Sequence, residues 1–207
     1  MVVINQKSNY MRKRTFRSLR LIAAFILPLI IFQSWKLNVI SSTGSGILIN
    51  KDGMTINGTL MSADWRVREF ETALGKADTV FGSRSNATHV YNKLGITYFE
   101  RAGVNTDAPC VKEIMFWYGK DNENSWSHIP DSWCNQKIMF DDYIVSPSTT
   151  PDNVKSRMKA WKLCDGSMAH WYEFSNSKIF IYFAFDRTEQ HLIWIDAGLR
   201  NNGAGCD

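Results

Sequence analysis

The chain has 207 residues, room for one ordinary domain or two small ones. Hydrophobic residues at 44% and charged residues at 21% exclude wholesale disorder and collagen-like or coiled-coil composition. The formal charge of +4 misleads: residues 1–36 hold seven Lys and Arg and no acid, leaving 17 basic against 20 acidic residues in 37–207. A mildly acidic folded part excludes a broad nucleic-acid-binding surface.

Arg12, Lys13, Arg14, Arg17 and Arg20 precede an apolar run, Leu21 to Phe32. With Leu19 to Trp35 included, the run reaches the lower limit for a spanning helix, and Trp35 and Lys36 serve as interfacial anchors. A cleaved signal peptide is the alternative, although no A-x-A-like site follows Phe32. No Cys follows either, so a lipoprotein is excluded. The expected layout is a basic cytoplasmic tail over 1–18, a signal-anchor over 19–35 and a flexible tether over 36–46. Everything beyond is then periplasmic, held at the inner membrane or released as a soluble periplasmic protein after cleavage.

From residue 47 the patterning predicts a hairpin over 47–56 turning at Asp52-Gly53, and a second turn at Asn57-Gly58. A helix follows, N-capped by Ser62, with Val67, Phe70 and Leu74 on its apolar face and Gly75 ending it. Strands are predicted at 89–91, 96–100 and 111–118. The order then recurs. Residues 137–145 read as a strand or tight hairpin, and Thr150-Pro151 starts a helix with Val154, Met158 and Trp161 facing inward. Three strands follow at 170–175, 178–186 and 191–197. The expected fold class is α+β: two similar β-α-β-β(-β) units, 47–118 and 137–207, each an antiparallel sheet covered by its own short helix, the two sharing a core or forming one continuous sheet.

The stretch Gly58-x-Leu60, the helix ending Ala73-Leu74-Gly75-Lys76-Ala77-Asp78, and Tyr91-x-x-x-Gly95-Ile96-x-Tyr98 resembles the small envelope modules of the outer-membrane assembly lipoprotein family (the SmpA/OmlA type). It is also similar to the tandem repeats of secreted β-lactamase-inhibitor proteins. A basic signal-anchor followed by an exported module of this kind resembles envelope proteins that give immunity to type VI secretion effectors. What these resemblances imply is stoichiometric binding of a cognate secreted toxin. The alternative implied is an envelope assembly or scaffold factor.

Cys110, Cys134, Cys164 and Cys206 are even in number and form no C-x-x-C pair, in keeping with export. Of the three possible connectivities, the expected one is Cys110–Cys134 with Cys164–Cys206; four buried thiols are the alternative. His89, His128, His170 and His191 are scattered, without H-E-x-x-H or H-x-H spacing, so they read as structural or surface histidines. Asp141-Asp142, on an alternating strand, would point to opposite faces. With no nucleophile elbow or phosphate-binding glycine pattern, no enzyme activity, metal, cofactor or small-molecule substrate is expected.

The remaining anomaly is a polar stretch over 119–136, whose loop of about 15 residues is longer than most. It carries Trp126 and Trp133 beside Asp121, Glu123 and Asp131. Aromatic anchors ringed by carboxylates suit a basic protein partner. The alternative is an inter-repeat linker pinned by Cys134 and packed through its tryptophans. Phe116, Tyr118, Phe180, Tyr182 and Trp194 alternate along strands and read as sheet packing.

Overall fold

The structure, a computed structural model, describes residues 46–83, 86–101, 109–121, 128–164 and 169–200. The expected tail, anchor and nearly all of the tether lie outside them. Among the described residues no helix is long and apolar enough to cross a membrane.

Among the described residues thirteen strands and two short helices follow in the order β1 (Ile47–Asn50), β2 (Gly53–Ile56), β3 (Thr59–Leu60), α1 (Val67–Leu74), β4 (Thr79–Phe81), β5 (Thr88–Tyr91), β6 (Ile96–Arg101), β7 (Cys110–Trp117), β8 (Ile138–Phe140), β9 (Tyr143–Val145), α2 (Pro151–Arg157), β10 (Lys162–Leu163), β11 (Trp171–Ser175), β12 (Ile179–Phe185) and β13 (Leu192–Leu199). They form two sheets. The smaller has the order β3-β2-β1-β8-β9 and the larger β10-β11-β12-β13-β7-β6-β5-β4.

This overturns the expected α+β class. The described chain is mostly β, and each sheet draws strands from both halves. β1 pairs in parallel with β8, from Ile47↔Ile138 to Ile49↔Phe140. β7 and β13, eight residues each and the longest strands, pair antiparallel at the centre of the large sheet, from Trp194↔Trp117 to Gly198↔Glu113. The physical reason is burial. Both strands carry apolar side chains on both faces, so each is better placed inside a wide sheet than at the edge of a narrow one.

Cross-strand rows show how the large sheet divides. Phe174, Ile181, Ala197, Ile114 and Tyr98 stand opposite one another on one face. All join the main core, together with Ile49, Met54, Ile56, Ile138 and Phe140 of the small sheet. Phe140 meets Phe183 with ring centroids 5.2 Å apart, so the small sheet packs directly on the large one. The helices complete this layer. Phe70 of α1 lies 5.4 Å from the Tyr98 ring, and Lys155 of α2 sits over Tyr172.

Thr150 caps α2 as its sequence predicts, accepting from the Asn153 N–H, with Pro151 at the first position. Ser62, the predicted cap of α1, lies four residues too early: the helix starts after Arg66. Glu69 reaches back to accept from the Arg66 N–H, at 3.2 Å, and from the Ser62 hydroxyl, at 2.8 Å. Asp141 and Asp142 form the β8–β9 turn rather than part of a strand, and Asp141 accepts from the Trp161 indole at 2.9 Å.

Inside the core, His89 Nε2 lies 2.6 Å from Glu100 Oε1, with both side chains more than nine-tenths buried, and the imidazole stacks on Tyr98 at 4.3 Å. Burial raises the Tyr98 hydroxyl far above its usual range and pushes the Tyr91 hydroxyl up to about 12. At the β12–β13 turn Asp186 accepts from Thr188, from the His191 ring at 2.8 Å and from two backbone N–H groups. Burial opposes ionisation there, but these hydrogen bonds outweigh it and hold the carboxyl down to about 2.

Two outcomes follow from this packing. Phe183→Ala, which empties the contact between the sheets, should cost about 3–5 kcal/mol in urea unfolding, with a single transition retained. Because the Asp186 pKa is depressed, its contribution is present above about pH 4 and lost as the pH falls towards 2. Asp186→Asn should therefore flatten the stability profile in that window and leave its shape near neutrality unchanged.

Candidate interaction surface

The outer face of the large sheet, turned away from the main core, carries a second apolar cluster. Met115, Trp117, Ala184 and Trp194 are buried in it, with Phe99, Ile129, Trp171, Tyr182 and Ile193 packed around them. Trp117 and Trp194 stand opposite each other on the two central strands, and Trp171 meets Trp194 edge-on at 5.2 Å. A buried indole must place its N–H. Trp194 donates to Asp121 Oδ2 at 3.3 Å, and Trp117 donates to Thr97 Oγ1 at 3.2 Å. Thr97 in turn donates to the His128 carbonyl at 3.1 Å. The two tryptophans thus hold the 119–136 stretch near its beginning, at Asp121, and near its middle, at His128, one directly and one through Thr97.

Further on, the segment is laid across the β5–β6 turn. Asn92 accepts from the Asp131 N–H through its side chain and from the Ser132 N–H through its carbonyl. The Cys134 N–H donates to the Trp117 carbonyl. Gly95 permits this approach: it has φ +68°, and a Cβ there would collide with the Cys134 backbone.

The sequence-predicted residues therefore separate. Asp121 is only 5% exposed and is engaged by Trp194, so it organises the loop rather than meeting a partner. Asp131 is exposed, and Trp133 is 46% exposed. Glu123 and Trp126 lie outside the described residues. Phe81, missed by the sequence reading together with the whole of β4, is 41% exposed and stacks on His128 at 4.3 Å. Its neighbour Val80 is exposed too, so the edge strand adds apolar surface at that end of the sheet. The only sequence signal for β4 is the short run Thr79-Val-Phe81 before Gly82. Of the aromatic residues read as sheet packing, Phe116 and Tyr118 face the main core, whereas Tyr182 and Trp194 belong to the outer face.

The cysteines also separate. Cys110 and Cys134 are buried thiols, so the expected bond between them is absent. They sit on different features: Cys110 starts β7, while Cys134 follows Trp133 beside Gly95, at the other end of that strand. Burial pushes the Cys134 thiol up to about 11, leaving it an inert packing group at neutral pH. Cys164 is disulfide-bonded; Cys206, its expected partner, lies outside the described residues. Among the described residues no group of three or more His, Cys, Asp or Glu is placed to hold a metal ion.

This division of roles has a measurable consequence. Asp121→Ala removes the carboxylate acceptor of a buried indole N–H and should cost about 1–3 kcal/mol in chemical denaturation. Asp131→Ala, on the exposed part of the loop, should change stability by no more than about 0.5 kcal/mol.

Comparison with known proteins adds a family but no activity. No curated protein matches the chain. A DUF4309 family protein (YjgB) from Bacillus subtilis subsp. subtilis str. 168 is a structural match at 12% identity and a TM-score of 0.33, over 65% of this chain and 78% of that one. A likeness that loose supports no argument about fold or function. Neither finding is to an outer-membrane assembly lipoprotein, a β-lactamase-inhibitor protein or a type VI immunity protein. A family described as a domain of unknown function, DUF7738, matches residues 46–155, from the first strand into α2 and just over half of the chain. The chain belongs to the DUF7738 family.

Proposed function

We propose that the chain is a membrane-tethered periplasmic binding protein of the immunity type, which neutralises a cognate type VI secretion effector by occluding it. The observation that carries the reading is Trp133. A large aromatic side chain is left half-exposed on a segment that is fixed to the sheet on both sides of it: Thr97 donates to the His128 carbonyl, Asn92 accepts from the Asp131 and Ser132 N–H groups, and the Trp117 carbonyl accepts from the Cys134 N–H. Displaying a tryptophan on a rigid support lowers the ordering cost of binding, and tryptophan is enriched among the residues that dominate interface energies. Asp131 beside it favours a basic partner surface. The cluster of basic residues before an apolar run supports a tether, and the disulfide of Cys164 supports an oxidising compartment.

The mechanism is stoichiometric. It uses no chemistry of its own; the partner's active site is covered while the complex lasts. Affinity purification of the full chain from membranes of the source bacterium should recover one stoichiometric secreted toxin. Trp133→Ala should weaken that complex by about 30-fold or more while the protein keeps its stability. A deletion strain with intact secretion should be killed by its siblings. If it survives among them and instead shows detergent or vancomycin sensitivity without any toxin, the protein is an envelope assembly factor and the immunity reading is wrong.

A further inference from the structure

At the opposite end of the central strands from the loop lies a cleft of about 540 Å³. It opens between residues 60–65 and the ends of β6, β12 and β13. Met61, Trp65, Ile179 and Leu199 give it apolar walls, and Leu60 stands on its rim, 71% exposed. Three cationic side chains line it, Arg101, Lys178 and Arg200, against two carboxylates, Asp52 and Asp64, both of which are exposed.

Arg101 is the informative member. It is partly buried at the end of β6, and its Nε is closed off from solvent with no hydrogen-bond partner. None of the ion pairs among the described residues uses it. A buried guanidinium N–H without an acceptor is costly, and the group is shaped to receive a planar carboxylate through two parallel hydrogen bonds. The cleft's volume lies within the range of small-molecule sites, which combine apolar walls with a few polar groups that fix orientation.

We propose that this cleft binds a small amphipathic carboxylate, with Arg101 taking the carboxylate and the Leu60, Met61, Trp65 and Leu199 side chains taking its hydrocarbon body. Lys178 and Arg200 favour the anion from the rim, and Asp52 and Asp64, which would repel it, are exposed and screened by solvent.

The test is a ligand-observed NMR titration of the full chain in a non-ionic detergent, against a detergent-only blank. The probes are hexanoate, hexanol, hexylammonium and acetate. Hexanoate should bind saturably and at least about tenfold more tightly than the other three, because hexanol and hexylammonium lack the anion and acetate lacks the apolar body. Arg101→Gln, checked for folding by circular dichroism, should weaken hexanoate by about tenfold or more. Leu60→Glu, at a position already in solvent, leaves the fold unchanged and should weaken hexanoate while improving hexylammonium. No saturable hexanoate binding, equal binding of hexanoate and hexanol, or hexanoate binding that survives both substitutions would overturn the proposal.

Discussion

The pairing of β7 with β13 is the constraint on which the rest of the structure depends. It joins a strand from the first half of the chain to the last strand of the second, with about 75 residues between the ends of the two. Closing so long a loop costs entropy that only extensive burial can offset. The offset is visible on both faces. Ile114, Phe116, Ile195 and Ala197 enter the main core, while Met115, Trp117 and Trp194 build the outer cluster.

Each face then has its own consequence. The inner face needs a cover, which the small sheet and the two helices supply, and the small sheet is itself completed by the parallel pairing of β1 with β8. The outer face has no helix over it among the described residues. Its indoles hold the 119–136 stretch through Asp121 and Thr97, so the aromatic content that exceeds a small core's need is used to fix a loop. The same strand arrangement that displays Trp133 at one end of the sheet leaves Arg101 and its cleft at the other.

Much of this was legible from local pattern. The Ile47–Ile56 hairpin, the Thr150-Pro151 helix start and the long alternating strands rest on interactions between neighbours in sequence, and they stand close to where periodicity and turn chemistry put them. Strands of two or three residues such as β3, β4 and β10 have no periodicity to detect. The fold class was misjudged because strand partners are chosen by long-range burial, which local patterning does not encode. Asp121 illustrates the same limit at the loop. Its residue type and position suggest an exposed carboxylate, but its partner is an indole 73 residues away. Ser62 shows a smaller version, where Glu69 takes over the capping that the serine's position suggests.

The central claim is that the two halves are one cooperative unit and not two repeats side by side. Native-state hydrogen exchange on the full chain tests it most directly. Amides of Ile114 and Phe116 in β7, of Ile181 and Phe183 in β12, and of Ile195 and Ala197 in β13 should all exchange through the same global opening, with one common free energy and one common denaturant dependence. Two distinct openings, one for residues 47–118 and another for residues 137–200, would contradict the account.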